Sequence, residues 1–172
     1  MIESVNVGGF DRQSAVVEVH WVPHRASAEV YAFVLNGQGR ILSKGGVVFS
    51  KNPVSPNRAV FVRGTGDGAV MLGGQVQMCL TSMSEDVARI RCVLGANQQG
   101  VILEDLKDIA VSVWNPVDGI SDGNFELLEG GLNKCLTLGE MQRDSGGWKF
   151  VFTGEGHAVA ISDLANSFGI AD

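Results

Sequence analysis

LGEMQR (residues 138–143), GGWKF (146–150) and GEGHAVAISDLANSFGI (154–170) follow one another in the last third of this chain. Residues 136–141 and 148–153 read as two short strands around a turn. Gly154 and Gly156 then suggest a glycine-rich corner. Beyond it Ile161, Leu164, Ala165 and Phe168 recur at helical spacing, with Ser162 and Asp163 near the start and Gly169 placed to end a helix. The apolar stripe of that helix should pack on a sheet.

Working back from this block, alternation dominates. Val17, Val19 and Trp21 share one face of a strand, and Glu18 and His20 the other. Over 29–35 both faces are apolar, with Tyr31, Phe33 and Leu35 opposite Val30, Ala32 and Val34, so this strand should be covered on both sides. NGQG (36–39) should turn the chain back. Further short strands are expected at 47–49, 59–62, 75–80, 89–94, 108–114 and 124–128, and Ser84 with Glu85 and Asp86 could open a single turn before residue 89. Short strands separated by Gly, Pro, Asn and Asp clusters predict an all-β fold, a two-sheet β-sandwich with one C-terminal α-helix.

The chain has 172 residues and no repeat, linker or low-complexity tract, so residues 1–172 are read as a single domain. Its 23 glycines show no collagen-like period and fit many tight turns. A formal net charge of −6, with scattered Arg and Lys, argues against a nucleic-acid partner. No apolar run has the length of a membrane helix and residues 1–9 do not read as a secretory signal, so no membrane insertion and a cytoplasmic location are expected. Cys79, Cys92 and Cys135 lie in apolar runs without metal-ligand spacing and are read as buried thiols.

Chemistry is sparse. GEG before a helix lacks the third glycine of a dinucleotide fingerprint, and no βαβ unit could follow. His20, His24 and His157 share no metal-binding spacing, there is no GxSxG elbow, and Glu104, Asp105 and Asp108 read as solvated acids. GTGDG (64–68) offers glycines but a single acid, Asp67, where calcium needs several oxygens.

The order of these segments resembles the TerD family of tellurium-resistance and stress proteins. AEVYAFVLNGQGRI (28–41), VVFSKNPVSPN (47–57), SEDVARIRCVL (84–94) and the closing LGEMQR, GGWKF and GEGHA carry the resemblance. It implies a β-sandwich with a C-terminal helix, a non-enzymatic role and a bacterial stress setting. It also implies calcium sites, built from an Asp-x-Asp pair before the AF strand and a long acidic glycine loop. Here Ser27 stands at the first acid position with only Glu29 remaining, and GTGDGAVMLGG (64–74) has lost most of its acids. What the resemblance leaves is a residual calcium site at Glu29, Asn52 and Asp67.

The function expected is therefore that of a stress-response binding or scaffolding protein with weakened or lost calcium binding. A protein partner or paralogue is expected, contacted through Val70, Met71 and Leu72. Two alternatives stand beside it: full calcium binding, and a small-ligand receptor or enzyme whose site assembles around Glu155, His157 and Asp67.

Overall fold

The computed structural model describes residues 3–22, 28–67, 70–96, 103–104, 106–126 and 130–170, the side chains of 65–72 apart. Two antiparallel sheets face each other. The first contains β1 (Glu3–Gly8), β3 (Ala28–Leu35), β4 (Val47–Val48), β7 (Arg89–Ala96), β10 (Cys135–Asp144) and β11 (Gly147–His157), in the order β1-β11-β10-β7-β3-β4. The second contains β2 (Ser14–Val22), β5 (Val60–Asp67), β6 (Val70–Cys79), β8 (Lys107–Trp114) and β9 (Ser121–Glu126), in the order β5-β6-β2-β8-β9. One helix, α1 (Ile161–Phe168), closes the fold.

Alternation sorts the side chains. Val17, Val19 and Trp21 from β2 meet Val30, Ala32 and Val34 from β3 in the core between the sheets. Tyr31, Phe33 and Leu35, on the opposite face of β3, join Val93 and Cys135 in a second cluster that Ile161, Leu164, Ala165 and Phe168 of α1 cover. The double-sided apolar pattern of residues 29–35 is thus explained by a sandwich partner on one face and a helix on the other. Gly169, at φ 68°, ends α1 as its composition suggests, whereas the N-cap is Ala160 with no side-chain cap. Burial of the apolar stripe, rather than capping, must hold so short a helix.

The closing glycines differ from the sequence expectation. GEG is no corner, because β11 continues through it and pairs Glu155 with Thr137 and Gly156 with Leu136. Gly154 takes φ 62° where the register shifts. A side chain at Gly156 would run into the amide of Asn133. On its other neighbour β10 also slips by a residue, between Thr137 and Gly139. That bulge resets the alternation, which is why Leu136, Leu138 and Met141 can all reach the same core. GTGDG differs in the same way, since residues up to Asp67 extend β5, and Asp67 pairs with Val70. β1 is an element that the sequence reading did not contain.

At the side where β1 approaches β9, Arg12 ties the sheets together. Its guanidinium donates to both carboxylate oxygens of Asp122, at 2.8 and 3.2 Å, to the Ser14 carbonyl at 2.8 Å and to the Val7 carbonyl. Both side chains are largely buried. Arg12→Ala should therefore destabilise the fold by about 2 kcal/mol, from lost charge-assisted bonds and an unpaired carboxylate, as measured by urea unfolding.

Candidate functional site

Glu29 stands second in β3, and its carboxylate is engaged by Ser50. The Ser50 hydroxyl donates to its two oxygens at 2.9 and 3.1 Å, and the Ser50 N–H approaches at 3.4 Å. Asn52 serves a different purpose. Its amide nitrogen donates to the carbonyls of Val47 at 2.7 Å and Gly45 at 3.2 Å, which folds the segment after β4. Asp67 closes β5 three residues beyond Gly64, about 10 Å along the strand at ~3.3 Å per residue. Its side chain lies outside the described residues.

Glu29, Ser50, Val62, Arg63, Gly64 and Gly73 line a notch of about 40 Å³ at the seam between the sheets. That is room for a water or one small ion. Calcium requires six to eight oxygens. Asn52 turns its nitrogen inward to carbonyls, and Glu29 brings a single carboxylate, part of whose acceptor capacity Ser50 takes. Among the described residues no three His, Cys, Asp or Glu side chains gather as metal ligands. The donors of the described residues do not make up a calcium cage.

The second constellation is divided between the sheets. His157 and Glu155 lie on β11, and Thr137 Oγ1 shares a 2.7 Å hydrogen bond with His157 Nε2. Asp67 lies in the other sheet, at its β5 edge. The register also aligns Glu29, Gly95, Cys135 and His157 as one row across four strands, a juxtaposition no linear spacing could reveal. Cys135 is not a poised nucleophile, however. It is buried, its thiol donates to the Val159 carbonyl at 3.3 Å, and burial lifts its pKa to about 11. Burial first, then nearby Glu140, pushes the Cys92 thiol up as well. Tyr31 is raised to about 12 by burial and by Glu29 and Cys135. All three groups stay protonated at neutral pH. Cys92 and Cys135 are buried as read from the sequence, and Cys79 is partly so.

The strongest charged cluster is one to which sequence reading assigned no role. Glu140 on β10 is 4% exposed and accepts from Arg91 Nε at 2.9 Å, with Arg89 at 3.7 Å and the Gln142 amide at 2.7 Å. Arg91 in turn lies 4.9 Å from the centre of the Phe168 ring on α1. Arg89 and Arg91, two apart and both facing one acid, were the available signal. The acid is fully paired, so the cluster anchors α1 rather than offering free chemistry.

What the fold and these contacts define is an antiparallel β-sandwich closed by a helix, with two largely buried acids, Asp122 and Glu140, held by arginines. The chain belongs to the TerD domain family, whose model matches residues 7–168. Solved structures agree in fold. A homologue of the telluride resistance protein TerD from Streptomyces coelicolor A3(2) is similar with a TM-score of 0.64 at 19% identity, covering 92% of this chain and 99% of that one. A protein described as of unknown function is similar with a TM-score of 0.64 at 15% identity, covering 93% and 98% respectively. Among the described residues no helix is long and apolar enough to cross a membrane.

Proposed function

We propose that this protein is a non-enzymatic, tellurite-resistance-type stress protein that works by binding, as a cytoplasmic partner or scaffold, with calcium affinity weakened or lost. The family match supports the stress role. The observation that carries the loss of calcium is the thin donor set at Glu29: a single carboxylate, partly taken by the Ser50 hydroxyl and amide, beside an Asn52 that presents its nitrogen to carbonyls. The acid-poor hairpin of β5 and β6 points the same way, because ligand charge helps set calcium affinity. Val70, Met71 and Leu72 at its start suit contact with a partner protein or paralogue better than contact with an ion.

Melting with and without calcium tests this. A site filled at a hundredfold excess over its Kd would add ~2.7 kcal/mol, or roughly 5–10 °C for a chain of this size. The expected shift at about 1 mM calcium, relative to chelator, is below ~1 °C. A rise of several degrees, reduced by Glu29→Gln, would restore calcium binding as the function.

A further inference from the structure

β5 is the outermost strand of its sheet, and among the described residues only the first half of its free side is paired. Residues 53–55 lie along the first half, where the Ser55 N–H donates to the Val60 carbonyl and the Val62 N–H to the Pro53 carbonyl, both at 2.9 Å. In an antiparallel pair the residue opposite would return an N–H to the Val62 carbonyl. Proline has none to give, so this extra ladder stops at Pro53. The next residue whose N–H and C=O point outward is Gly64. Among the described residues the outward groups of Val62 C=O and Gly64 gain no further backbone partner. Gly64 is exposed and has no side chain to shield them.

The face matters as much as the edge. Val60 and Val62 direct their side chains into the core, so a residue laid opposite Gly64 would also direct its side chain inward. There it meets the notch that Glu29, Ser50 and Gly64 line. The Glu29 carboxylate, with about four acceptor positions, can take an ammonium or guanidinium besides the Ser50 hydroxyl. Arg63 falls on the opposite face, so the neighbours of that inward residue pass beside a cation. Edge strands are usually guarded by charges on the edge itself, and here the position that faces outward is a glycine.

We propose that the Val62–Gly64 edge of β5 accepts an extended segment of a partner protein by strand addition. The segment carries a lysine or arginine opposite Gly64, aimed at Glu29, and an acidic neighbour beside Arg63. Backbone bonds supply the attachment and the charge order supplies selectivity. The inference rests on the binding reading above, and makes its partner surface specific.

The probe is a capped heptapeptide with a central lysine flanked by glutamates and, outside these, valine and threonine. It is titrated into the isotope-labelled full chain. Saturable shifts of the Gly64 and Glu29 amides are expected. Binding should fall at least about tenfold when the central lysine becomes glutamate, and equally with Gly64→Pro, which removes an outward N–H without touching the β5–β6 ladder. Glu29→Gln should weaken it several-fold, and melting of each variant checks that it is folded. The proposal is overturned if the Gly64 amide does not respond, or if Gly64→Pro binds as the parent does. Concentration-dependent dimerisation abolished by Gly64→Pro would also overturn it, by giving the edge to a second copy. If a cellular partner is lost on Met71→Asp but kept on Gly64→Pro, the binding reading survives and the strand-addition inference fails.

Discussion

Replacing Arg91 with leucine should destabilise this protein by about 3 kcal/mol, because it leaves the Glu140 carboxylate buried without its nearest cation. The geometry sets the size. Glu140 is almost wholly out of water and its 2.9 Å bond to Arg91 is the short one, while Arg89 stands at 3.7 Å and is more exposed. Arg89 moderates the loss, so the value falls at the low end of the 3–5 kcal/mol typical of a broken buried pair. For a chain of this length that is roughly 6–12 °C in Tm. Glu140→Leu alone should cost less, since the two arginines keep access to water. The pair Arg91→Leu with Glu140→Leu should recover at least half of the single loss, because an apolar pair needs no solvent. Denaturant unfolding of the three variants decides it. A single Arg91→Leu loss below about 1 kcal/mol, or a double variant no better than the single, would show that the pair is not what holds this row.

The same cluster shows where sequence reading reached its limit. Alternation made the architecture legible: strand 29–35, with both faces apolar, announced cover on each side, and residues 161–168 announced a helix packed on a sheet, while the fold showed that the two belong together. What alternation could not carry was phase. The slip at Leu138 reverses the face of every later residue on β10, so a regular pattern drawn through LGEMQR misassigns either Leu138 or Met141. Glycines were ambiguous for a related reason. A glycine can mark a turn, a bulge or a close approach, and Gly154 and Gly156 proved to be the latter two within one strand. GTGD (64–67) likewise continues a ladder, because strand pairing needs backbone groups and not side chains.

The candidate site was legible in part. Glu29 came from the resemblance, as the acid that remains before the AF strand, but its partner Ser50 lies 21 residues away and only the fold could supply it. Asn52 was chosen as an oxygen donor, yet its nitrogen carries its work here. Side-chain chemistry names what a residue can do, while its neighbours select which end does it. The row of Glu29, Gly95, Cys135 and His157 makes the same point, since its members come from four strands whose register no composition encodes.

Truncating Phe33 to alanine should be the most damaging single change on the helix side of the first sheet, and it should detach α1 before it unfolds the sandwich. Phe33 is completely buried and forms an edge-to-face pair with Phe168 at 5.4 Å. Phe168 also sits against Arg91, which pairs with Phe33 in register. Removing the Phe33 ring therefore empties the floor on which the end of the helix rests. Loss of a buried phenylalanine costs about 3–5 kcal/mol. An eight-residue helix without a side-chain cap has no independent stability to offset it. Amides of Leu164 and Ala165 should lose most of their hydrogen-exchange protection, while those of β2 and β8 in the other sheet, which Phe33 does not touch, keep theirs. Phe33→Leu should cost less than half as much and leave the helix protected, because it refills most of the volume. If Phe33→Ala lowers protection equally in α1 and β2, helix and sandwich unfold as one unit, and the helix is a full member of the core rather than a cover laid over it.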